Sequence, residues 1–228
     1  MKPPPAPTLA ERVAAHIRAE IVARRLTVGD RLPGEVELAR RLRVSRGIVR
    51  EGRRHLVAAG LIEISNGRRA VVSKLGAGPL DGFIANAVAT RQLAVNEIFE
   101  LRRAIEIEVA ALAAQRRTAD DVAELARHLE RMRATVGRTA YLRHDLAFHR
   151  ALAAATQNPL FTLLIDSMRE PLAASMRASH VRRRGAREFA QAHAVHEGIF
   201  DAVQAGDPDA AERAMRAHFA DVAAALEH

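Results

Sequence analysis

Two short amphipathic helices separated by only a few residues constrain this chain more than any other feature in it. Glu35–Leu42 (EVELARRL) reads as the first, Arg43-Val44 as a tight connection, and the run VSRGIVREGRRHLVAAGL over residues 44–61 carries the second. Ile48, Val49, Leu56 and Val57 recur at helical spacing and are expected to bury one face. Arg46, Arg50, Arg53 and Arg54 then fall on or beside the solvent side. Ser45 stands where an N-cap is expected, three residues before Ile48. Two helices in that relation make a helix-turn-helix, whose second helix offers its N-terminal residues to base edges in the DNA major groove. An arginine-rich surface helix in a bundle would look much the same over this stretch alone.

The charge distribution separates those readings. Residues 1–75 carry 16 Lys and Arg against 7 Asp and Glu, a balance of +9. The remainder carries 19 against 20, a balance of −1. All the excess positive charge is therefore in the N-terminal third, as expected if that part alone meets a polyanion. Cysteine is absent, which excludes disulfides and thiolate metal sites. No apolar run is long enough to span a bilayer, and the proline-rich start MKPPPAPT lacks a signal peptide's hydrophobic core. A cytoplasmic protein with no membrane partner is expected.

Along the chain, residues 1–8 read as a disordered arm and residues 9–25 as an amphipathic helix with Val13, Ile17, Ile21 and Val22 inward. Gly29-Asp30 and Pro33-Gly34 punctuate the loop before the helix-turn-helix. After Gly60 the period changes: Leu61, Ile62 and Ile64, then Val71 and Val72, flank the turn-forming dipeptide Asn66-Gly67. Helix, helix-turn-helix and hairpin together make a winged helix-turn-helix over residues 9–73. Its wing carries Arg68 and Arg69, placed to reach phosphates or the minor groove.

The run RLTVGDRLPGEVELARRLRVSRGIVREGRRHLVAAGLIEISNGRRAVV resembles the DNA-binding domain of GntR-family bacterial transcription regulators. Gly29-Asp30, Leu32-Pro33, Glu35, Leu38-Ala39, Val44-Ser45-Arg46, Val49-Arg50-Glu51, Leu56, Gly60-Leu61 and Gly67 carry the likeness. The resemblance implies base and phosphate contacts by Arg46 and Arg50, a phosphate contact by Ser45, and a wing tip at Asn66-Gly67. With Gly47, Arg54, Arg68 and Arg69, these form the expected DNA-binding set. The chain departs from the pattern at Val36, where a polar residue is common, and at Gly47, where Thr is common. It departs again at Gly52, where Ala is usual, and at Arg69, where Gly is common. Gly52 costs roughly 1 kcal/mol in helix propensity relative to Ala. The losses at positions 36 and 47 shift the expected contacts toward Arg46, Arg50 and the wing.

Residues 74–79, with two glycines and a proline, read as a linker. Beyond it, residues 80–228 show no strand pattern. Helical segments are expected over 80–91, 95–116, 119–136, 140–155, 159–179, 186–205 and 208–226, with breaks at Gly137, Asn158-Pro159, Gly185 and Gly206-Asp207-Pro208. The last break has the right logic: Gly ends a helix, Asp caps the next, and Pro takes its first turn. The expected architecture is mainly α, a winged helix-turn-helix followed by an antiparallel bundle of six or seven helices.

Four residues of the bundle stand out. Asp145 and His149 (DLAFH) project from one helix face, one turn apart. His196 shares a face with Ile199 and Val203, and His218 sits between Met215 and Phe219. Each His lies on or near an apolar stripe and should point inward. Three imidazoles and a carboxylate converging in a core suit a divalent transition metal. Singly, each His could equally be a hydrogen-bonded packing residue, and Asp145 with His149 a helix-surface pair. His128, His144, His180 and His193 have no evident role.

DLAFHRALAAATQNP, HEGIFDAVQAGD and AMRAHF, with FELRRAIEIEVAALAA earlier, resemble the FCD-type effector domain of the FadR branch of that family, across most of residues 95–220. The resemblance implies metal ligation by Asp145, His149, His196 and His218, with zinc favoured and nickel or manganese compatible. It implies a small organic acid as effector, with Arg102 as its cation and Asn158 as a further pocket residue. A planar guanidinium suits bidentate carboxylate recognition. The expected function is a homodimeric, ligand-responsive regulator, a repressor by family habit, on a palindromic double-stranded operator. Two other readings compete: a metal-dependent enzyme acting on a small carboxylate, and a constitutive DNA-binding protein with a structural metal. No general base, nucleophile or lid loop is evident for the former. An inward-pointing Arg102 would count against the latter.

Overall fold

A computed structural model of the chain describes residues 6–64, 69–134, 138–169, 173 and 186–227. The chain divides into two compact units, Met1–Pro79 and Leu80–His228. Among the described residues are ten helices and one two-stranded sheet. No helix among them is long and apolar enough to cross a membrane.

In the first unit, α1 spans Leu9–Ala23. Thr8 opens it with a capping box: its side chain accepts from the Glu11 amide at 3.2 Å while the Glu11 carboxylate accepts from the Thr8 amide at 2.7 Å. Thr8, assigned to the expected arm, is thus the N-cap of α1, and such a reciprocal cap stabilises the helix end by about 1 kcal/mol. Ala10, Val13, Ala14, Ile17 and Ile21 form the buried stripe. Val22, expected inward, lies one residue beyond that stripe and is 71% exposed.

Helices α2 (Glu35–Leu42) and α3 (Arg46–Ala58) form the helix-turn-helix. Arg43 ends α2 in the left-handed region, with φ +54°, turning the chain within three residues. Ser45 then caps α3 by accepting from the Ile48 amide at 3.3 Å. The face of α3 packed inward is Val49, Gly52, Arg53 and Leu56. This corrects the apolar reading in two places. Val57 is 42% exposed, and Arg53, expected at the surface, is buried. Its guanidinium donates to the Pro33 carbonyl and lies 3.8 Å from the Glu35 carboxylate.

Strands β1 (Ile62–Glu63) and β2 (Val71–Val72) pair antiparallel, Ile62 opposite Val72. The 29–32 loop extends this small sheet: Arg31 bridges Val71, Gly29 N–H donates to Val72 at 2.9 Å, and Leu32 N–H donates to Ala70 at 2.8 Å. Leu32, Leu38, Val49, Leu56, Ile62 and Val72 close one core with α1.

The second unit holds α4 (Gly78–Ala89), α5 (Val95–Arg116), α6 (Ala119–Ala134), α7 (Arg138–Ala155), α8 (Pro159–Ser167), α9 (Ala186–Ala205) and α10 (Pro208–Glu227). Helix α4 takes in the last two residues assigned to the linker. Helix α8 stops at Ser167 with Met168 as its C-cap, short of the expected 179. The rest of that span, apart from Arg169 and Ala173, and the breaks at Gly137 and Gly185 lie outside the described residues. Gly206 takes φ +75°, and Asp207 accepts from the Ala210 amide at 2.9 Å, as the sequence logic requires. Helix α5 packs against α7, α9 and α10. Its inward stripe is Ile98, Arg102, Glu106, Val109, Ala110, Ala113 and Ala114, so two charged residues sit inside an otherwise apolar core.

Candidate functional site

Each unit carries its own candidate site. In the first, the cap at Ser45 and the inward stripe of α3 leave Ser45, Arg46, Gly47, Arg50 and Arg54 exposed. Beyond Gly47 the space is open: an added Cβ would meet only Ser45 Oγ, at 3.7 Å. Arg50 extends toward α2, its guanidinium 3.3 Å from Glu35. Glu35 therefore faces both exposed Arg50 and buried Arg53. Arg69 is exposed at the approach to β2, while Asn66, Gly67 and Arg68 lie outside the described residues. Four cationic side chains, a helix N-terminus and a small sheet in this arrangement can engage a phosphate backbone and base edges.

In the second unit, α7 supplies Asp145 and His149, α9 His196, and α10 His218, all buried. The three imidazoles offer ligand atoms within 4.8 Å of one another. Their ring centroids stand 4.6–5.5 Å apart. Asp145 Oδ1 lies 3.0 Å from His196 Nε2. The other nitrogen of His196, Nδ1, is 2.7 Å from the Ala192 carbonyl, which can only accept, so Nδ1 carries the proton. Asp145 Oδ2, both ring nitrogens of His149, His196 Nε2 and His218 Nδ1 are buried without hydrogen-bond partners.

Burial pushes the Asp145 carboxyl up, but His196, His149 and His218 outweigh it and hold the group well below the usual carboxylate range. Burial pushes the His218 imidazole well below its ordinary value, reinforced by His196 and His149. The two shifts favour the ionised carboxylate at Asp145 and the neutral imidazole at His218, the forms that suit a cation.

Arg102 lies fully inside, its guanidinium 5.9 Å from the Phe219 ring centroid and paired with Glu106 one helical turn on. Glu106 is the residue that sequence reasoning passed over. Its second oxygen lies against His149 Nδ1, so it joins Arg102 to the histidine cluster. Burial raises its carboxyl, and Arg102 and His149 together bring it below the usual range. Its only sequence signal is the four-residue spacing from Arg102. Asn158 caps α8, its side chain accepting from the Leu160 amide at 3.1 Å.

Comparison with known proteins follows the same division. Residues 9–72 match the bacterial regulatory proteins of the gntR family, and residues 97–221 match the FCD domain. The chain is a GntR-family regulator with an FCD domain. This GntR regulator is 32% identical to the HTH-type transcriptional regulator LutR of Bacillus subtilis, over 86% of its own length and 91% of LutR. It is 31% identical to the HTH-type transcriptional repressor NanR of Escherichia coli K12, over 95% of its length and 83% of NanR. Among solved structures, Streptococcus agalactiae GntR superposes with a TM-score of 0.70 at 27% identity, covering 93% of this chain and 98% of that one. These relatives are transcription regulators, not enzymes. GntR regulators bind DNA, and FCD domains bind small-molecule effectors and are often metal-binding.

Proposed function

We propose that this GntR regulator is a cytoplasmic, homodimeric repressor that binds a palindromic operator and responds to a small organic acid received beside a divalent metal. The observation that carries the proposal is the buried set Asp145, His149, His196 and His218. A single buried proton would satisfy the facing pair Asp145 Oδ1 and His196 Nε2, yet would leave His149 Nε2, His218 Nδ1 and Asp145 Oδ2 without partners. One divalent ion held by the three imidazoles, with Asp145 beside His196, would take up these lone pairs, and three imidazoles with one carboxylate favour zinc, with nickel and manganese compatible.

When bound, such an ion supplies an electrophile with open positions for an effector carboxylate. The chain's own residues do the rest. Arg102 supplies a fixed cation for the acid's second oxygen or second carboxylate. Phe219 and Phe99, in edge contact at 5.3 Å, wall the site with apolar surface. On the DNA side, Ser45, Arg46, Gly47, Arg50 and Arg54 meet the major groove, and Asn66, Gly67, Arg68 and Arg69 meet the flanking phosphates. The effector must bind one arrangement of the dimer better than the other to shift operator occupancy. NanR is itself a repressor, which supports the repressor reading.

The test is a thermal-shift screen of small mono- and dicarboxylates on zinc-loaded and chelator-stripped protein. The proposal expects at least one acid to raise Tm only in loaded protein and to change operator affinity. Acids that act equally on stripped protein, or none that alters operator affinity, would contradict it. The second outcome would favour constitutive DNA binding.

A further inference from the structure

An ion pair buried this deeply has a structural cost. Arg102 and Glu106 are 1% and 0% exposed, and taking such a pair out of water costs several kcal/mol per ion before its attraction is counted. Aliphatic residues at these positions would fill the core between Ile98 and Val109 at no such cost. The pair is shared, however. One Glu106 oxygen accepts from Arg102 Nε, and the other lies against Nδ1 of His149 on α7.

That second contact determines which nitrogen of His149 can ligate. An ionised carboxylate only accepts, so Nδ1 must carry the imidazole proton. Nε2 is then left with its lone pair: neither ring nitrogen makes a hydrogen bond of full geometry, but Nδ1 has the Glu106 carboxylate against it while Nε2 has no hydrogen-bond or ion-pair partner. His196 is fixed in the same sense by the Ala192 carbonyl. A carboxylate on the distal nitrogen also makes an imidazole a more basic ligand than a carbonyl does.

We propose that Glu106 is a positioning residue for the metal centre, holding His149 in its ligating tautomer while anchored in turn by Arg102. The inference rests on the metal reading above. It makes metal loading and the state of Arg102 interdependent, because both draw on one carboxylate. With a metal held by His149, Glu106 would serve that imidazole through one oxygen and Arg102 through the other.

The experiment is a zinc titration of the full-length, metal-stripped chain as wild type and as Glu106→Gln. It is read by calorimetry and by long-range nitrogen–proton spectra of the imidazoles. The expected result is about one zinc per chain in both, with roughly 10–100-fold weaker affinity in the variant. The wild-type, metal-free His149 should show Nδ1–H, and the variant a mixture of tautomers. Equal affinities would overturn the role of Glu106 while leaving the metal site standing. A wild type that takes up no zinc would overturn both. Should Glu106→Gln fail to fold, the wild-type spectrum alone decides: an Nε2–H tautomer at His149 contradicts the proposal.

Discussion

Nε2 of His196 faces Oδ1 of Asp145 at 3.0 Å, although the proton of that imidazole is already committed to the Ala192 carbonyl on its far side. Two acceptors this close in a buried site need either a shared proton or a metal ion held by both, and the proposed metal centre supplies the latter. Chelation should therefore lower the Tm of the helical domain, and restoring zinc should raise it. The gain is about 4 kcal/mol when free metal exceeds its Kd a thousandfold. Because imidazoles ligate only when neutral, the zinc-dependent increment should shrink as the pH falls. Scanning calorimetry of stripped and loaded protein at two pH values checks both parts.

Removing Arg102 alone should do more than remove an effector contact. Arg102→Leu strands Glu106 in the core, and breaking a buried pair on one side costs about 3–5 kcal/mol. Arg102→Leu combined with Glu106→Leu should recover a substantial part of that loss. Denaturant melts of the two variants test this; a double variant no more stable than the single would contradict it.

Gly52 is a case where helix propensity and packing point in opposite directions. A Cβ there would sit 2.8 Å from the Ala10 carbonyl oxygen and 2.9 Å from Val13 Cγ1, so the glycine is what lets α1 approach α3 so closely. Gly52→Ala gains about 1 kcal/mol in propensity. Overpacking against backbone costs roughly 1–3 kcal/mol. The variant should lower the melting temperature of the winged domain and weaken DNA binding without altering metal content.

Arg50 and Glu35 make a fourth test. Arg50→Ala should weaken operator binding by about 1–3 kcal/mol and lower its salt dependence if the contact is to phosphate. Glu35→Gln should weaken binding for a different reason, since it releases Arg50 and leaves buried Arg53 with less compensation. Anisotropy titrations across salt concentrations distinguish the two: Glu35→Gln should keep the wild-type salt slope.

Much of this was legible because local chemistry and tertiary packing agree. The helix Val95–Arg116 and the Gly206-Asp207-Pro208 break follow from periodicity and capping alone. The inward histidines follow from their place on apolar stripes. What escaped was polar residues doing a core residue's job. Arg53 occupies the helical position at which hydrophobicity would have pointed to Val57, because the Pro33 carbonyl and Glu35 satisfy it inside. Glu106 is hidden in a helix whose surface also carries Arg103 and Glu108, and only its partners on α5 and α7 distinguish it. The bridge at Arg31 lies in a loop of turn-forming residues, with too few positions to show any alternation.

Elemental analysis of the purified full-length protein, beside the variant His149→Ala with His196→Ala, tests the central claim most directly. The account predicts about one divalent transition metal per chain in the wild type and none in the variant, with operator binding by the winged domain still measurable in both. Wild-type protein that holds no metal after incubation with zinc, nickel or manganese would contradict it, as would a variant that keeps its metal.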